Sequence, residues 1–262
     1  LWGERIDGLL AALDLDRPDL APVRAALEAG DREQACQALL AYIRTNPAGE
    51  RYRKTEGPYS VEAAEKCTED VLPASGSWGK TPRLGDGGLD WSYQGPPDYD
   101  NNQWHQINRH QWMRHLLFAG LAGEGGAYLR TLDLFLRDWC AHTRRHRAFS
   151  MAIDRKLNAG IRLREHLWPT IFYTFAQDER FRDATRLLML TTLAEHGTYL
   201  RKHHNPEGNH MMMQVSGLAT LADAFPMFAG ADEWLRYVQG LTAEEARTQF
   251  YPTGVQKELA QN

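Results

Sequence analysis

The second half of the chain is a succession of long helical patterns separated only by short breaks, and this constrains the fold more than any other feature. Apolar residues recur at helical spacing over about 104–122, 127–145, 159–176, 181–202 and 209–225, and again from 232 to about 250. Strand signals are nearly absent there. Helices joined by turns of about two to eight residues pack antiparallel with their neighbours, giving helical hairpins and not βαβ units. No strict repeat of fixed period is present, which disfavours a consensus solenoid. Hairpins of roughly 35–45 residues suit a ring of helix pairs with a groove on one face. The expectation is one all-α domain over residues 1–262.

The first part of the chain is also helical. Leu9, Leu10 and Leu13 mark one segment, Val23, Ala26 and Leu27 a second, and Ala35, Leu39, Leu40 and Ile43 a third. Asp31 is placed to cap the third and Asn46-Pro47 to stop it, and Ser60 caps a further short helix through Ala63-Ala64. Around 73–103 the pattern changes to Gly, Pro, Asp and aromatics, with Gly85-Asp86-Gly87-Gly88 and Gly95-Pro96-Pro97 as turn signals. With Trp78, Trp91, Tyr93 and Tyr99 it is too aromatic for a disordered linker. It reads as a long ordered loop or a pair of short strands that packs against or lines something.

Several function classes are disfavoured. A formal charge of -4 opposes nucleic-acid binding by bulk electrostatics. The basic runs Arg144-Arg145-His146-Arg147 and Arg201-Lys202-His203-His204 read either as solvated helix ends or as local anion contacts. Cys36, Cys67 and Cys140 form neither a disulfide framework nor a CxxC metal site. No apolar run is long enough to span a membrane, and Leu1-Trp2-Gly3-Glu4 lacks the pattern of a signal peptide. No GxSxG elbow is present.

Polar side chains concentrate in three places. The first is the helix beginning near Trp104, where Trp104, Asn108 and Gln111 share one face while His105, Arg109 and Trp112 follow another track, with His110 and His115 close by. Such a stripe offers ring stacking and charge-assisted hydrogen bonds to an anionic sugar; the competing reading is a buried polar network between helices. The second is Asn158-Ala159-Gly160-Ile161-Arg162-Leu163-Arg164-Glu165. Here Arg162 and Arg164 point about 200° apart, so at most one faces a site. Arg162 is chosen because it precedes Glu165 and His166, and its alternative role is a structural ion pair with Glu165 or Asp154.

The third place is His203-His204-Asn205-Pro206-Glu207-Gly208-Asn209-His210-Met211-Met212-Met213-Gln214, a turn opening into an apolar helix. His203, His204 and His210 do not have HExxH spacing, and Pro206 makes a turn between them, so no metal site is assigned. Glu207 with Asp98, Asp100 or Asp154 would suit two-carboxylate glycoside hydrolysis, which stays open as an alternative.

Taken together, Asp90-Trp91, Trp104-His105-Gln106-Ile107-Asn108-Arg109-His110, Asn158-Ala159-Gly160-Ile161-Arg162, Asn205-Pro206-Glu207-Gly208-Asn209-His210 and Tyr251-Pro252-Thr253-Gly254-Val255-Gln256-Lys257-Glu258-Leu259 resemble, in order, the N-terminal region of heparinase II/III-like polysaccharide lyases. The resemblance implies an incomplete (α/α) toroid followed by an antiparallel β-sandwich domain of the same protein. Uronic-acid polysaccharides bind between the two and are cleaved by β-elimination, with no cofactor. Asn209 matches the residue that neutralises the uronate carboxylate, and His210 its neighbour acting as base, proton relay or second donor. Trp104, Asn108, Arg109, His110, Arg162 and Glu207 are the expected substrate-binding residues.

The family's catalytic Tyr aligns just beyond Asn262 and a further His belongs to the sandwich, so the 262 residues alone are expected to be inactive. Tyr251 occupies a different position and takes no role; Thr253 stands where the family has Asp. A heparan-sulfate-like glycan is the expected partner, alginate-type polyuronates the alternative, and a toroid that only binds glycan a third reading. Members of that family are often exported, so the resemblance implies a periplasmic or secreted location.

Overall fold

The computed structural model describes residues 2–74, 77–93, 107–124, 126–142, 156–164 and 167–248. The first helices are α1 (Trp2–Ala11), α2 (Ala21–Glu28), α3 (Arg32–Thr45), α4 (Pro47–Tyr52) and α5 (Val61–Thr68). Their ends are set as the sequence predicts. The Asp31 carboxylate accepts the Gln34 N–H at 2.9 Å, and Ser60 Oγ accepts the Ala63 N–H at 3.2 Å. Asn46 both ends α3 and caps α4, accepting the Ala48 N–H at 3.0 Å.

The aromatic, glycine-rich stretch opens with a hairpin, β1 (Val71–Ala74) antiparallel to β2 (Ser77–Lys80), with Val71 opposite Lys80 and Leu72 opposite Gly79. Arg83 and Leu89 then pair as an isolated bridge, and Trp91 is fully buried. Of the two sequence readings, the pair of short strands describes its start; residues 94–106 lie outside the described part.

The remaining helices are α6 (Met113–Leu121), α7 (Gly126–His142), α8 (Lys156–Leu163), α9 (Leu167–Phe175), α10 (Asp183–His203), α11 (Gly208–Ala224) and α12 (Ala231–Thr248). Successive members alternate in direction when α8 and α9 are taken as one arm. α6, α8–α9 and α11 run one way as an inner layer, while α7, α10 and α12 return outside them, each packed on its inner neighbours. This is an all-α toroid built from helical hairpins. The starts of α6, α8 and α11 therefore share one end of the ring.

Two sequence-derived boundaries are corrected. The helix expected over 104–122 is regular only from Met113, because His110 adopts φ 63° and separates the turn at 107–109 from α6. The helix expected over 159–176 divides into α8 and α9. Pro169 has no N–H to donate and its ring crowds the carbonyl four residues back, so one helix cannot run through that point.

The opposite end of the ring is closed by the N-terminal helices. The Asp14 N–H donates to Met227 O at 2.8 Å and the Ala229 N–H to Ala12 O at 2.9 Å. Tyr173 Oη donates to Ala224 O at 2.6 Å and accepts from Asn46 Nδ2 at 3.2 Å. No helix of the described residues is long and apolar enough to cross a membrane.

α8 and α11 approach closely where Gly160 and Gly217 face each other. A Cβ on Gly160 would sit 2.7 Å from Gln214 Cα and 2.8 Å from Met213 O, and one on Gly217 would sit 2.6 Å from Gly160 O. These are backbone atoms and cannot swing away. Gly160→Ala is therefore expected to cost about 2–3 kcal/mol, measured as a loss in the denaturation midpoint. Gly240→Ala, where a Cβ meets nothing within 4 Å inside α12, should instead gain about 0.5–1 kcal/mol from helix propensity. Equal effects at the two sites would contradict the packing account.

Candidate active site

Beneath the end of the ring where α6, α8 and α11 begin lies a buried polar network centred on Arg162, which has no exposed surface. Its Nη1 donates to Asn108 O at 2.6 Å, while Nε and Nη2 approach His196 Nε2 at 3.2 and 2.8 Å. The guanidinium carbon lies 4.5 Å from the Trp139 ring centroid and 6.0 Å from that of Trp168, so π faces stand in for part of the lost water. Asn108 also donates from Nδ2 to Trp91 O at 2.8 Å and accepts the indole N–H of Trp139 at 2.8 Å. An indole can only donate, which fixes the amide orientation. The neighbouring Asp138 accepts the Trp91 indole N–H and the Leu89 N–H, each at 2.9 Å.

The two histidines of this network are neutral. His196 accepts from Arg162 at Nε2, so its proton sits on Nδ1, where it donates to Thr192 O at 2.7 Å. His110 accepts the Trp168 indole N–H at Nδ1 (3.0 Å) and stacks on that ring, 5.6 Å between centroids and 17° between planes. Burial, then the Arg162 charge, pushes His196 down to about 3 and His110 well below its ordinary value.

Asn108 and His110 are 0% exposed, which corrects the expectation that they face a groove, and Arg162, chosen to face the site, is 0% exposed as well. The interhelical network, weighed as the alternative, is what the structure shows. Of the predicted stripe, Arg109 is half-buried; its Nε reaches Asn158 Oδ1 at 3.4 Å, at the first turn of α8. Trp104 lies outside the described residues, as do Asp98, Asp100 and Asp154, the suggested carboxylate partners of Glu207.

At the start of α11, Gly208 has φ 82°, a conformation in which a side chain is strained. That turn releases Asn209, half-buried, and His210, exposed, at the first turn of the helix. Glu207 is exposed and its side chain does not cap the helix. The turn is locked from within by Gln214, 1% exposed, whose Oε1 accepts the Asn205 N–H at 2.6 Å and whose Nε2 donates to Asn205 Oδ1 at 3.4 Å. His204 meets Tyr237 Oη at 2.5 Å through Nε2, and His203 leans on Tyr199 with 5.1 Å between ring centroids. Among the described residues, no group of three His, Cys, Asp or Glu is arranged to hold a metal ion.

The parallel register of α8 and α11, set where Gly160 meets Met213 and Gln214, brings the first turns of both helices side by side. Arg109 meets Asn158 at the first turn of α8, and Asn209 and His210 occupy the first turn of α11. A separate groove of about 430 Å3 between α1 and α10, bounded by Glu4, Gly8, Glu195 and Lys202, is on the outer layer.

The sequence reading missed His196, and it gave no role to Asn158 or Gln214, although both fall in stretches it singled out. A histidine among the buried positions Met189, Leu193 and Leu200 is the signal for the first. For Gln214 the signal is a polar residue closing an apolar Met run.

A model of the heparinase II/III N-terminus matches residues 9–262. The chain belongs to this family. Among curated relatives, the heparin-sulfate lyase of Pedobacter heparinus is 24% identical over 261 residues, covering 95% of this chain and 39% of its own. That of Bacteroides thetaiotaomicron is 22% identical over 276 residues, with 95% and 37% covered. The crystal structure of the heparan sulfate lyase HepC from Pedobacter heparinus superimposes with a TM-score of 0.78 at 22% identity, over 95% of this chain and 40% of that one. A heparinase III crystal structure gives 0.77 at 21% identity, again over 95% and 40%. The fold of this heparinase II/III-family chain is therefore that of the corresponding part of these lyases, and the chain spans about two-fifths of their length.

The buried histidines make the fold acid-sensitive. Both are neutral when folded and both regain an ordinary pKa, about 6.5, when unfolded. Their contribution is complete above that pH and is lost as the pH falls below it, by up to about 1.4 kcal/mol per pH unit for each. Unfolding free energy should thus fall steeply from pH 6.5 to 5, and His196→Gln should flatten the slope. An unchanged slope in the variant would show that His196 is not held neutral.

Proposed function

We propose that the protein is a polysaccharide lyase that cleaves uronic-acid glycans of the heparin and heparan sulfate type by β-elimination. The observation that carries this reading is the Asn209-His210 pair at the opening turn of α11, in a chain whose curated relatives are heparin-sulfate lyases. The proton at uronate C5 is too weakly acidic to leave while the adjoining carboxylate keeps its full charge. Donors must neutralise that carboxylate and hold the enolate-like charge of the transition state.

Asn209 supplies an uncharged amide N–H for this, and the first-turn amides of α11 add the partial positive charge of a helix start. Arg109, which meets Asn158 at the start of α8, supplies in this reading the cation for a second oxygen. His210 is exposed, free to take the C5 proton, relay it, or donate to the carboxylate. The C5 electron pair then forms the C4–C5 double bond as the C4–O bond breaks, and the departing oxygen takes up a proton.

In this reading the proton donor, and the wall of the cleft opposite Asn209, come from a further β-sandwich domain of the same exported protein. Relatives more than twice as long as the matched region are in keeping with a further domain.

The test is release of unsaturated uronate, followed by its absorbance, from heparan sulfate, heparin, alginate and other uronate polymers with the full-length protein. Heparan-type substrates should give signal, and Asn209→Ala should lower it about a hundredfold or more while leaving the thermal midpoint unchanged. Silence on every polymer would end the lyase reading, and turnover of alginate alone would move the substrate class.

A further inference from the structure

We propose that Tyr237 and His204 are positioning residues for the turn that presents Asn209 and His210. The Tyr237 hydroxyl, on α12, acts on that turn only through the His204 ring. The inference rests on the lyase reading of Asn209 and adds two residues to the machinery of that reaction.

His204 follows the last residue of α10, and its N–H still donates to Leu200 O at 3.2 Å, so the backbone beneath the ring is anchored to that helix. The ring is half-buried and meets a partner at each nitrogen. Nδ1 lies 2.5 Å from Asn205 O, and Nε2 lies 2.5 Å from Tyr237 Oη. A carbonyl oxygen only accepts, so the proton sits on Nδ1 and the uncharged ring takes the Tyr237 O–H at Nε2. The hydroxyl thereby selects the tautomer that can hold Asn205 O. Tyr237 is itself placed from α10. The Arg201 guanidinium carbon lies 3.6 Å from the centre of its ring, and Arg201 Nε donates at 2.8 Å to Glu233, one turn earlier on α12.

His204 supplies one half of a grip on Asn205. Its hydrogen bond fixes the peptide plane after the Asn205 Cα, through the carbonyl, and Gln214 Oε1 fixes the plane before it by accepting the Asn205 N–H at 2.6 Å. Peptide units are planar, so holding both sets both dihedrals of Asn205. The ring of Pro206 restricts the next φ, and Gly208 at φ 82° turns the chain into α11. The direction set at Asn205 is thus carried over four residues to Asn209. Without the Tyr237 proton, the imidazole can carry its own proton on Nε2. The Nδ1 lone pair then repels Asn205 O, and one of the two planes is released.

The experiment uses the full-length protein on heparan sulfate. Tyr237→Phe keeps the ring and its contact with Arg201 and removes only the O–H. kcat should fall about tenfold with KM near the parental value, because a displaced Asn209 loses most where charge develops in the transition state. Adding His204→Asn to the Tyr237→Phe protein should restore most of that kcat, since an amide always carries an N–H to offer Asn205 O. A hydroxyl that served only the stability of the fold would give no such rescue. Parental kcat in Tyr237→Phe, a change in KM alone, or an equal loss with and without His204→Asn would each overturn the proposal. Amide hydrogen exchange over residues 205–210 reads the same turn without turnover. If the parent protein cleaves no uronate polymer, the lyase reading has failed and exchange decides the pair. Faster exchange in Tyr237→Phe, slowed again by His204→Asn, sustains it as the clamp on this turn, and parental exchange in Tyr237→Phe removes it.

Discussion

A buried guanidinium is the constraint on which the rest of this structure depends. Arg162 cannot lose its proton, and moving it from water into a helical core carries a large desolvation cost unless each N–H is met. Groups from four parts of the chain assemble to meet it: the Asn108 carbonyl before α6, Trp139 from α7, Trp168 from α9 and His196 from α10. Each is then fixed in turn. His196 must present a lone pair, which sets its tautomer, and Asn108 is held by indole and carbonyl partners on both edges of its amide. The cation thus ties the inner layer to the outer one, and its charge helps keep the two histidines neutral.

The same helix that buries Arg162 carries Gly160 on its other side. Gly160 lies about 200° around the helix from Arg162, so the face that meets α11 backbone to backbone is opposite the face that meets α7 and α10. α8 is therefore clamped from both sides. The close approach puts Gln214 against α8, and Gln214 in turn holds the Asn205 turn from which Asn209 and His210 emerge. The helix start that carries Asn209 is thereby set by contacts a full turn deeper in the protein, the placement that its proposed role would require.

The helices were legible in the sequence because their apolar periodicity and their caps at Asp31, Asn46 and Ser60 are local properties. The break at His110 was not legible, since a positive φ there depends on a hydrogen bond to Trp168, far away in the chain. Burial of the polar residues was equally hidden. Asn108 has the spacing of a groove-lining stripe with Trp104 and Gln111, and periodicity cannot distinguish a polar face turned to solvent from one turned to another helix's indole and imidazole groups. The burial of Arg162, with Arg164 left half-buried, was hidden for the same reason. Their separation on the helix follows from geometry, but which of them looks outward depends on where Gly160 packs.

Charge placement rather than total charge governs how such a chain can hold a polyanion. The formal charge is -4, so the protein as a whole repels an acidic glycan. That repulsion acts through water and is screened beyond about 8 Å at physiological salt. In the proposed reading what remains is short-range: the start of α11 with Asn209, and Arg109 at the start of α8. In the proposed reading, a glycan gains little from approaching the outer surface and gains strongly only where its own anions fall at these points. A net acidic body with few, well-spaced cationic sites then favours register over mere attraction. It lets go of a product whose charges no longer span them.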